Sequence, residues 1–183
     1  MKKMIAILIC IAVLASLSSC RSGDTVGTHL YHLDDIYALL EEYQKDIDII
    51  YFAHWPVFRT HENTTAYKID LKLNAFSKIE SGAEYSQKGW GSETGDADFK
   101  FVSALKNDDI DRFFRESARF GFTNWEKSYV DENILDGSEW YIKIVFSGGT
   151  TQAMSGTNKY PETWGDMMGA FEALTHAEFK AGG

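Results

Sequence analysis

The stretch from Phe146 to Phe171 constrains the fold most, because it holds two glycine clusters, one proline and an apolar stripe. The heptapeptide WYIKIVF, which ends at Phe146, places large apolar residues at alternate positions, which predicts a half-buried β-strand. Gly148 and Gly149 then predict a two-residue hairpin turn. In that register Ile142 lies opposite Ser155, so large residues on one strand face small residues on the next.

The same stretch ends in a predicted helix. Pro161 closes the loop, and the apolar residues that follow recur at the spacing of one helical face: Trp164, Met167, Met168, Phe171 and Leu174. A phosphate-binding P-loop would require Gly-Lys-Ser/Thr at the start of a helix, whereas Lys159 is followed by tyrosine and proline. A hairpin that leads into a helix is therefore the preferred interpretation.

Earlier segments predict two more helices and two strands. Asp34 and Asp35 precede an apolar stripe, which is typical of an amphipathic helix with acids in its first turn. The β-branched and aromatic residues of Ile47–Trp55 predict a strand, and DFKFVSAL predicts another. Asn107 is the predicted N-cap of a helix from Asp108 to Phe120 that Gly121 ends.

Strict alternation in AYKIDLKL predicts a further strand, with Tyr67, Ile69, Leu71 and Leu73 on one face and Lys68 and Asp70 exposed to solvent. Short connections between strands favour hairpins. The sequence therefore predicts an α+β domain with an antiparallel sheet of about five strands and helices packed mainly on one face.

The first twenty residues predict a secreted protein that stays at a membrane. Lys2 and Lys3 precede an apolar run that is too short for an ordinary membrane span, and Leu17-Ser18-Ser19-Cys20 follows. This tetrapeptide resembles the lipobox of bacterial lipoproteins, which implies a diacylglyceryl group on the Cys20 thiol and further acylation, for example by palmitate, of the new amino terminus. We expect a signal peptide at 1–19, a lipidated cysteine and flexible tether at 20–29, and a single α+β domain at 30–183.

Charge limits the partners that this protein can bind. Removing residues 1–19 deletes two lysines and no acid, so 18 basic side chains become 16 against 27 acidic ones, a formal charge of −11. Such a surface repels nucleic-acid phosphate and anionic lipid. We expect no nucleic-acid partner. The lipid anchor is expected to hold the protein in the bacterial cell envelope, facing the periplasm or the exterior.

The C-terminal half also resembles a group of small bacterial envelope lipoproteins to which no activity is assigned. The resemblance depends on residues spread over about the last seventy positions: Trp125, Tyr129, Asp136, Gly137, Trp140, Gly156, Asn158 and Pro161. It implies a shared fold and an envelope location.

Metal and catalytic motifs are weak in this sequence. His29 and His32 are spaced to share a metal, but no HExxH motif or cysteine ligand accompanies them. Oxygens of the acidic segment 92–98 suit calcium, although the EF-hand spacing is missing. No Gly-x-Ser-x-Gly or Ser-x-x-Lys motif is present in usable form. We therefore predict no metal or cofactor, and consider an enzyme less favoured than a binding protein.

Aromatic residues give the best binding candidates. Trp90 lies in a glycine-rich segment where a core position is unfavoured, and Trp55 and Phe58 belong to an aromatic cluster. A loop tryptophan folded back onto the core is the structural alternative. We predict a lipid-anchored binding or interaction module that captures an envelope protein or a small ligand. The alternatives are an envelope hydrolase and an inhibitor of a secreted enzyme.

Overall fold

The computed structural model describes residues 33–56, 65–80, 99–134 and 137–179. The chain divides into two units, residues 1–39 and 40–183, and Leu33–Leu39 is the only described part of the first unit. The predicted signal peptide, Cys20 and the tether lie outside the described residues, so the division at residues 19, 29 and 30 stays a prediction.

The described residues form three α-helices and a mixed seven-stranded sheet, which confirms the α+β class. The helices are α1 (Leu33–Gln44), α2 (Asn107–Phe120) and α3 (Trp164–Thr175). A short 3-10 helix spans Phe122–Asn124. The strands are β1 (Ile47–Pro56), β2 (Thr65–Asp70), β3 (Ala75–Glu80), β4 (Lys100–Ala104), β5 (Ser128–Val130), β6 (Ser138–Phe146) and β7 (Thr151–Thr157).

The strand order is β4-β3-β2-β1-β6-β7-β5. Every neighbouring pair is antiparallel except β5 and β7, which are parallel. The prediction of five antiparallel strands was therefore wrong in number and in direction, since β3 and β5 were missed.

Strand β3 was missed because the predicted strand was extended through a turn. β2 ends at Asp70, and Leu71–Asn74 turns the chain into β3. The Leu73 amide donates a hydrogen bond to Asp70 Oδ1 at 2.8 Å, and Asn74 has a φ of 52°. Both residue types favour such turns, because their side chains bond the nearby backbone and Asn tolerates left-handed φ. Leu73, predicted to be buried, is 73% exposed.

The predicted solvent exposure of Lys68 and Asp70 was also wrong. Their side chains are only 12% and 6% exposed, and Lys68 Nζ lies 3.5 Å from Asp70 Oδ2. The ion pair compensates for part of the loss of water around each charge. Ala53 and Ala66 are buried on the same face of the sheet, so this region is not a simple solvated surface.

The β6–β7 hairpin exists as predicted, but its register is shifted by one residue. The Phe146 amide donates to Thr150 O at 2.9 Å, which closes a three-residue loop, and Gly149 adopts a φ of 77°. This loop length is typical of a type I turn followed by a left-handed glycine. Ile142 therefore faces Met154 instead of Ser155. The side chain opposite Ile142 is large and buried, so the predicted row of small residues is absent.

The core lies between helices α2 and α3 and one face of the sheet, which we call the inner face and which carries Phe52, Tyr67 and Trp140. The ring of Phe52 lies 6.0 Å from those of Trp164 and Phe171 in α3. Phe113 of α2 stacks on Phe171 at 5.8 Å, which joins the two helices. The predicted α3 stripe is buried throughout.

Helix α2 ends at Gly121 as predicted, but its N-cap residue differs from the prediction. Gly121 adopts a φ of 65°, and its amide bonds the carbonyls of Ala118 and Ser117. Lys106 occupies the N-cap position, whereas the Asn107 side chain accepts a hydrogen bond from Asn74 Nδ2 at 2.8 Å. Within the described ranges, every helix is too short or too polar to cross a lipid bilayer.

Candidate functional site

A groove opens on the inner face at the β4 end of the sheet. Its volume is about 260 Å³, and strands β2, β3 and β4 supply its floor through Thr65, Tyr67, Phe76, Lys78 and Val102. Ala177 and Glu178, which follow α3, form its wall. The groove thus combines aromatic rings, a hydroxyl and charges of both signs, a composition that suits ligand binding.

Phe179 fixes the wall of the groove. Its ring lies 4.5 Å from Tyr67 and 5.9 Å from Phe76, and its amide donates to Glu172 Oε1 at 3.2 Å. Because Phe179 is buried against the sheet, the preceding residues Ala177 and Glu178 are held beside the groove.

Strand β4 borders this groove as an edge strand. In the part of the chain that the structure describes, β4 pairs with β3 alone. Phe101 is 66% exposed and Val102 is 43% exposed. An edge strand presents backbone donors and acceptors on its free side, and large exposed apolar residues there favour pairing with another chain.

Two lysines face each other across the β3–β4 pair. Lys78 and Lys100 are Cα partners, and Lys78 also lines the groove. Like charges at directly opposite positions destabilise a pair of strands. Glu178 lines the same groove as Lys78, so the groove carries charges of both signs.

A hydrogen-bonded chain of polar side chains lies at the adjoining end of β1. His54 Nε2 is 3.2 Å from Tyr160 Oη, and Tyr160 Oη bonds Ser138 Oγ. Thr65, which lines the groove, is the cross-strand partner of His54. The chain therefore joins the end of β1, the start of β6 and the loop before α3 at one end of the groove.

Burial lowers the pKa of His54 below its ordinary value. The imidazole is therefore neutral at neutral pH, with one nitrogen able to donate and the other able to accept a hydrogen bond. This state suits a contact with the tyrosine hydroxyl, which can play either role.

Of the predicted binding residues, Trp55 is the one that lies in the described part of the chain. Trp55 precedes Pro56 on β1, and its Nε1 donates to Glu139 Oε2 at 2.8 Å. Trp55 alternates with His54 along β1 and so lies on the face opposite to the groove. Phe58 and Trp90 lie outside the described residues, and so does the lipidation residue Cys20.

Among residues 33–56, 65–80, 99–134 and 137–179, no group of three or more His, Cys, Asp or Glu side chains is arranged to hold a metal ion. His29, His32 and the acidic segment 92–98 fall outside these ranges.

Three residues of the C-terminal resemblance, Trp125, Tyr129 and Gly156, lie against Trp140. Tyr129 and Trp125 lie 5.7 and 6.2 Å from its ring, and its Nε1 donates to Lys159 O at 2.8 Å. A Cβ atom at Gly156 would collide with the Trp140 ring, so only glycine fits there. These residues pack the fold, and they are separate from the groove.

Sequence reasoning missed Ser138, Tyr160, Lys78 and Glu178. His54 and Tyr160 are 106 positions apart, and no motif links them. Lys78 belongs to strand β3, which the sequence did not predict, so its pairing with Lys100 could not be predicted either. The turn residues Asp70 and Asn74 were the one available signal for that strand.

A scan against protein-family models found no matching family, and searches of curated proteins and of solved structures found no match. The groove and its bordering strand therefore have to be interpreted from their own chemistry.

Proposed function

We propose that this protein is a lipid-anchored binding module of the bacterial cell envelope. The anchor is supported by the sequence Leu17-Ser18-Ser19-Cys20 after an apolar run, a pattern that resembles a lipobox. Two or three acyl chains would hold the domain at the membrane without a basic surface patch.

The binding role depends on one observation, namely that the groove adjoins β4, the terminal strand of the sheet in the described part of the chain. Val102 belongs to both features, because it lines the groove and is 43% exposed on β4. An edge strand offers backbone hydrogen bonds, and an adjacent groove offers selectivity for side chains. Together they favour capture of a partner.

The anchor is tested with Cys20→Ser in the native host. We expect the variant to lose the mass of the acyl groups and to leave the membrane fraction, because the diacylglyceryl group is attached to a cysteine thiol and serine has none. A Cys10→Ser variant is the control and should stay anchored. Retention of Cys20→Ser in the membrane would contradict the proposal.

The binding role is tested by photo-crosslinking in the intact envelope. A benzophenone amino acid replaces Val102 in one variant and Val130 in another; Val130 is a matched control, since it is 48% exposed on the edge strand at the opposite side of the sheet. We expect a discrete crosslinked product from position 102 only. No product at 102, or the same products at both positions, would contradict binding at the groove.

The polar chain supports a second candidate, an envelope hydrolase. The hydroxyl of Tyr160 is hydrogen-bonded to the hydroxyl of Ser138 and also to the neutral imidazole of His54. Serine nucleophiles need a base within hydrogen-bond reach, and here Tyr160 would have to relay the proton. Labelling by a fluorophosphonate that disappears in Ser138→Ala would favour this alternative over binding alone.

A further inference from the structure

We propose that the first two turns of helix α1 lie on the lipid bilayer that anchors the protein. The contact is made by an apolar set that we call the α1 stripe: Leu33, Ile36, Tyr37, Leu39 and Leu40. This inference rests on the proposed lipid anchor and adds to it a surface of the folded chain that meets the same membrane.

Helix α1 has one apolar side and one acidic side. Leu33, Ile36, Tyr37 and Leu40 recur at the spacing of a single helical face, and Leu39 lies one turn from Ile36. A helix with this division can lie in the plane of a membrane interface, with its apolar side towards the acyl chains. The acids on the other side are Asp34, Asp35, Glu41 and Glu42.

The last turn of α1 is fixed to the domain. The ring of Tyr43 lies 5.5 Å from that of Phe146. Gln44 is the one buried residue of the helix, and its side chain bonds those of Ser117 and Thr123. This end of the helix is therefore held by side-chain contacts.

The α1 stripe is exposed in the first two turns. Leu33 and Leu39 are 68% and 46% exposed, and Tyr37 is exposed as well. Contiguous exposed apolar residues mark a contact surface, since they gain free energy when they leave water. Tyr37 adds a ring with a polar end, a combination that suits the boundary between acyl chains and water.

The position of the stripe in the sequence selects lipid as the contact. Leu33 is thirteen positions after Cys20, so the connecting chain reaches at most roughly 45 Å whatever its conformation. Acyl chains on Cys20 would therefore keep the start of α1 near the bilayer. Tethering gives a high effective concentration, so a modest apolar contact is enough for the stripe to stay bound.

A second copy of this chain fits the stripe less well. The twelve residues of α1 include four acids and no base. Packing two such helices together would bring their acidic sides close to each other and create repulsion. A zwitterionic lipid surface lacks this net repulsion, and the contact then depends on apolar burial alone.

The test uses the full lipidated chain in vesicles of phosphatidylcholine. Cys10 lies in the predicted signal peptide and Cys20 is the predicted acylation residue, so an introduced cysteine supplies the free thiol for a nitrobenzoxadiazole label. Tyr37→Cys places the label on the stripe. Ala38→Cys is the matched control, because Ala38 is exposed and lies one turn from the acids Asp34 and Asp35.

Bromine atoms on the lipid acyl chains should quench the label at position 37 at least about threefold more strongly than the label at position 38, because the stripe faces those chains. Leu33→Cys lies on the same stripe and should repeat the strong quenching, which guards against an effect of losing tyrosine. Circular dichroism checks that the variants fold.

Lipid charge sharpens the test. Replacing about a third of the phosphatidylcholine by phosphatidylglycerol at low salt should reduce the quenching at position 37 by about twofold, since the acids of α1 are repelled. Salt should restore the quenching because it screens that repulsion.

Flotation of the chain with the vesicles reports the anchor separately. A chain that floats while positions 37 and 38 are quenched equally would reject the inference and leave the anchor standing. Strong quenching that vanishes when each vesicle carries about one chain would show contact between copies and would also reject it. A chain that does not float would reject both the anchor and the inference.

Discussion

The two edges of the sheet differ in how they are closed. At one edge, β5 has three residues, and the chain that follows it is tied down: the Asp131 amide donates to Thr157 O at 3.0 Å. The Asn158 side chain accepts from the Ser138 amide and donates to Ile134 O, each at 2.9 Å. At the other edge, β4 exposes Phe101 and borders a groove.

This difference separates folding from binding. Residues near β5 pack around Trp140, and they include Trp125 and Tyr129 of the C-terminal resemblance. Residues near β4 carry exposed apolar surface at Phe101 and Val102, which contributes little to the packing of the sheet. We therefore expect changes near β5 to alter stability and changes near β4 to alter binding.

The largest expected effect is that of Trp140→Ala. The change removes a buried ring that contacts Trp125, Tyr129 and Trp164, so the free energy of unfolding should fall by about 3–5 kcal/mol. Phe101→Ala is the comparison at the open edge and should cost no more than about 0.5 kcal/mol. Urea unfolding measures both. Similar losses of unfolding free energy for the two variants would contradict the proposed difference between the two edges.

Asn158→Ala should have an intermediate effect. It removes two hydrogen bonds and places alanine at a φ of 59°, so we expect a loss of about 1–3 kcal/mol. Asn158→Asp keeps the acceptor for Ser138 and tolerates the left-handed conformation, and it should recover part of the loss. Urea unfolding of both variants measures these losses. An unchanged free energy of unfolding for Asn158→Ala would contradict the account.

His54→Gln should change the pH dependence of stability more than stability itself. Burial lowers the pKa of His54 in the folded protein, so the unfolded chain binds more protons once the pH falls below about 6.5. The stabilising contribution is complete above that pH and is lost as the pH falls towards the folded pKa. Glutamine retains a polar contact with Tyr160 but cannot titrate.

Thermal unfolding between pH 5 and pH 8 checks this prediction. The wild type should lose more stability than His54→Gln on acidification. Burial raises the pKa of Tyr141, and burial together with Asp46 raises that of Tyr43, so these groups do not titrate in this range. Identical pH profiles for the two proteins would show that His54 is not the titrating group.

The sequence predicted the parts of the fold that local pattern determines. The stripe of α3 and the alternation of β6 lie on buried faces as expected, because each apolar residue follows the period of its own element. Strand β5 is too short to show a period, and its parallel partner β7 is distant in the sequence. The one-residue register shift at Gly149 depended on loop length, which glycine alone does not specify.

The candidate site was less predictable than the fold. Trp55 was selected as an aromatic binding residue, but its hydrogen bond to Glu139 holds it on the opposite face from the groove. The groove instead gathers residues from β2, β3, β4 and the segment after α3. Such a set depends on tertiary packing, as with Phe179, whose burial positions Glu178.

The most direct test of the account is amide hydrogen exchange in the full chain, which compares the two terminal strands of the described sheet. The β4 amides that point away from β3 should exchange at least about tenfold faster than the amides that join β5 to β7, because β4 pairs with β3 alone among the described residues. Equal exchange rates at the two edges would contradict the claim that β4 is the less protected edge of the described sheet.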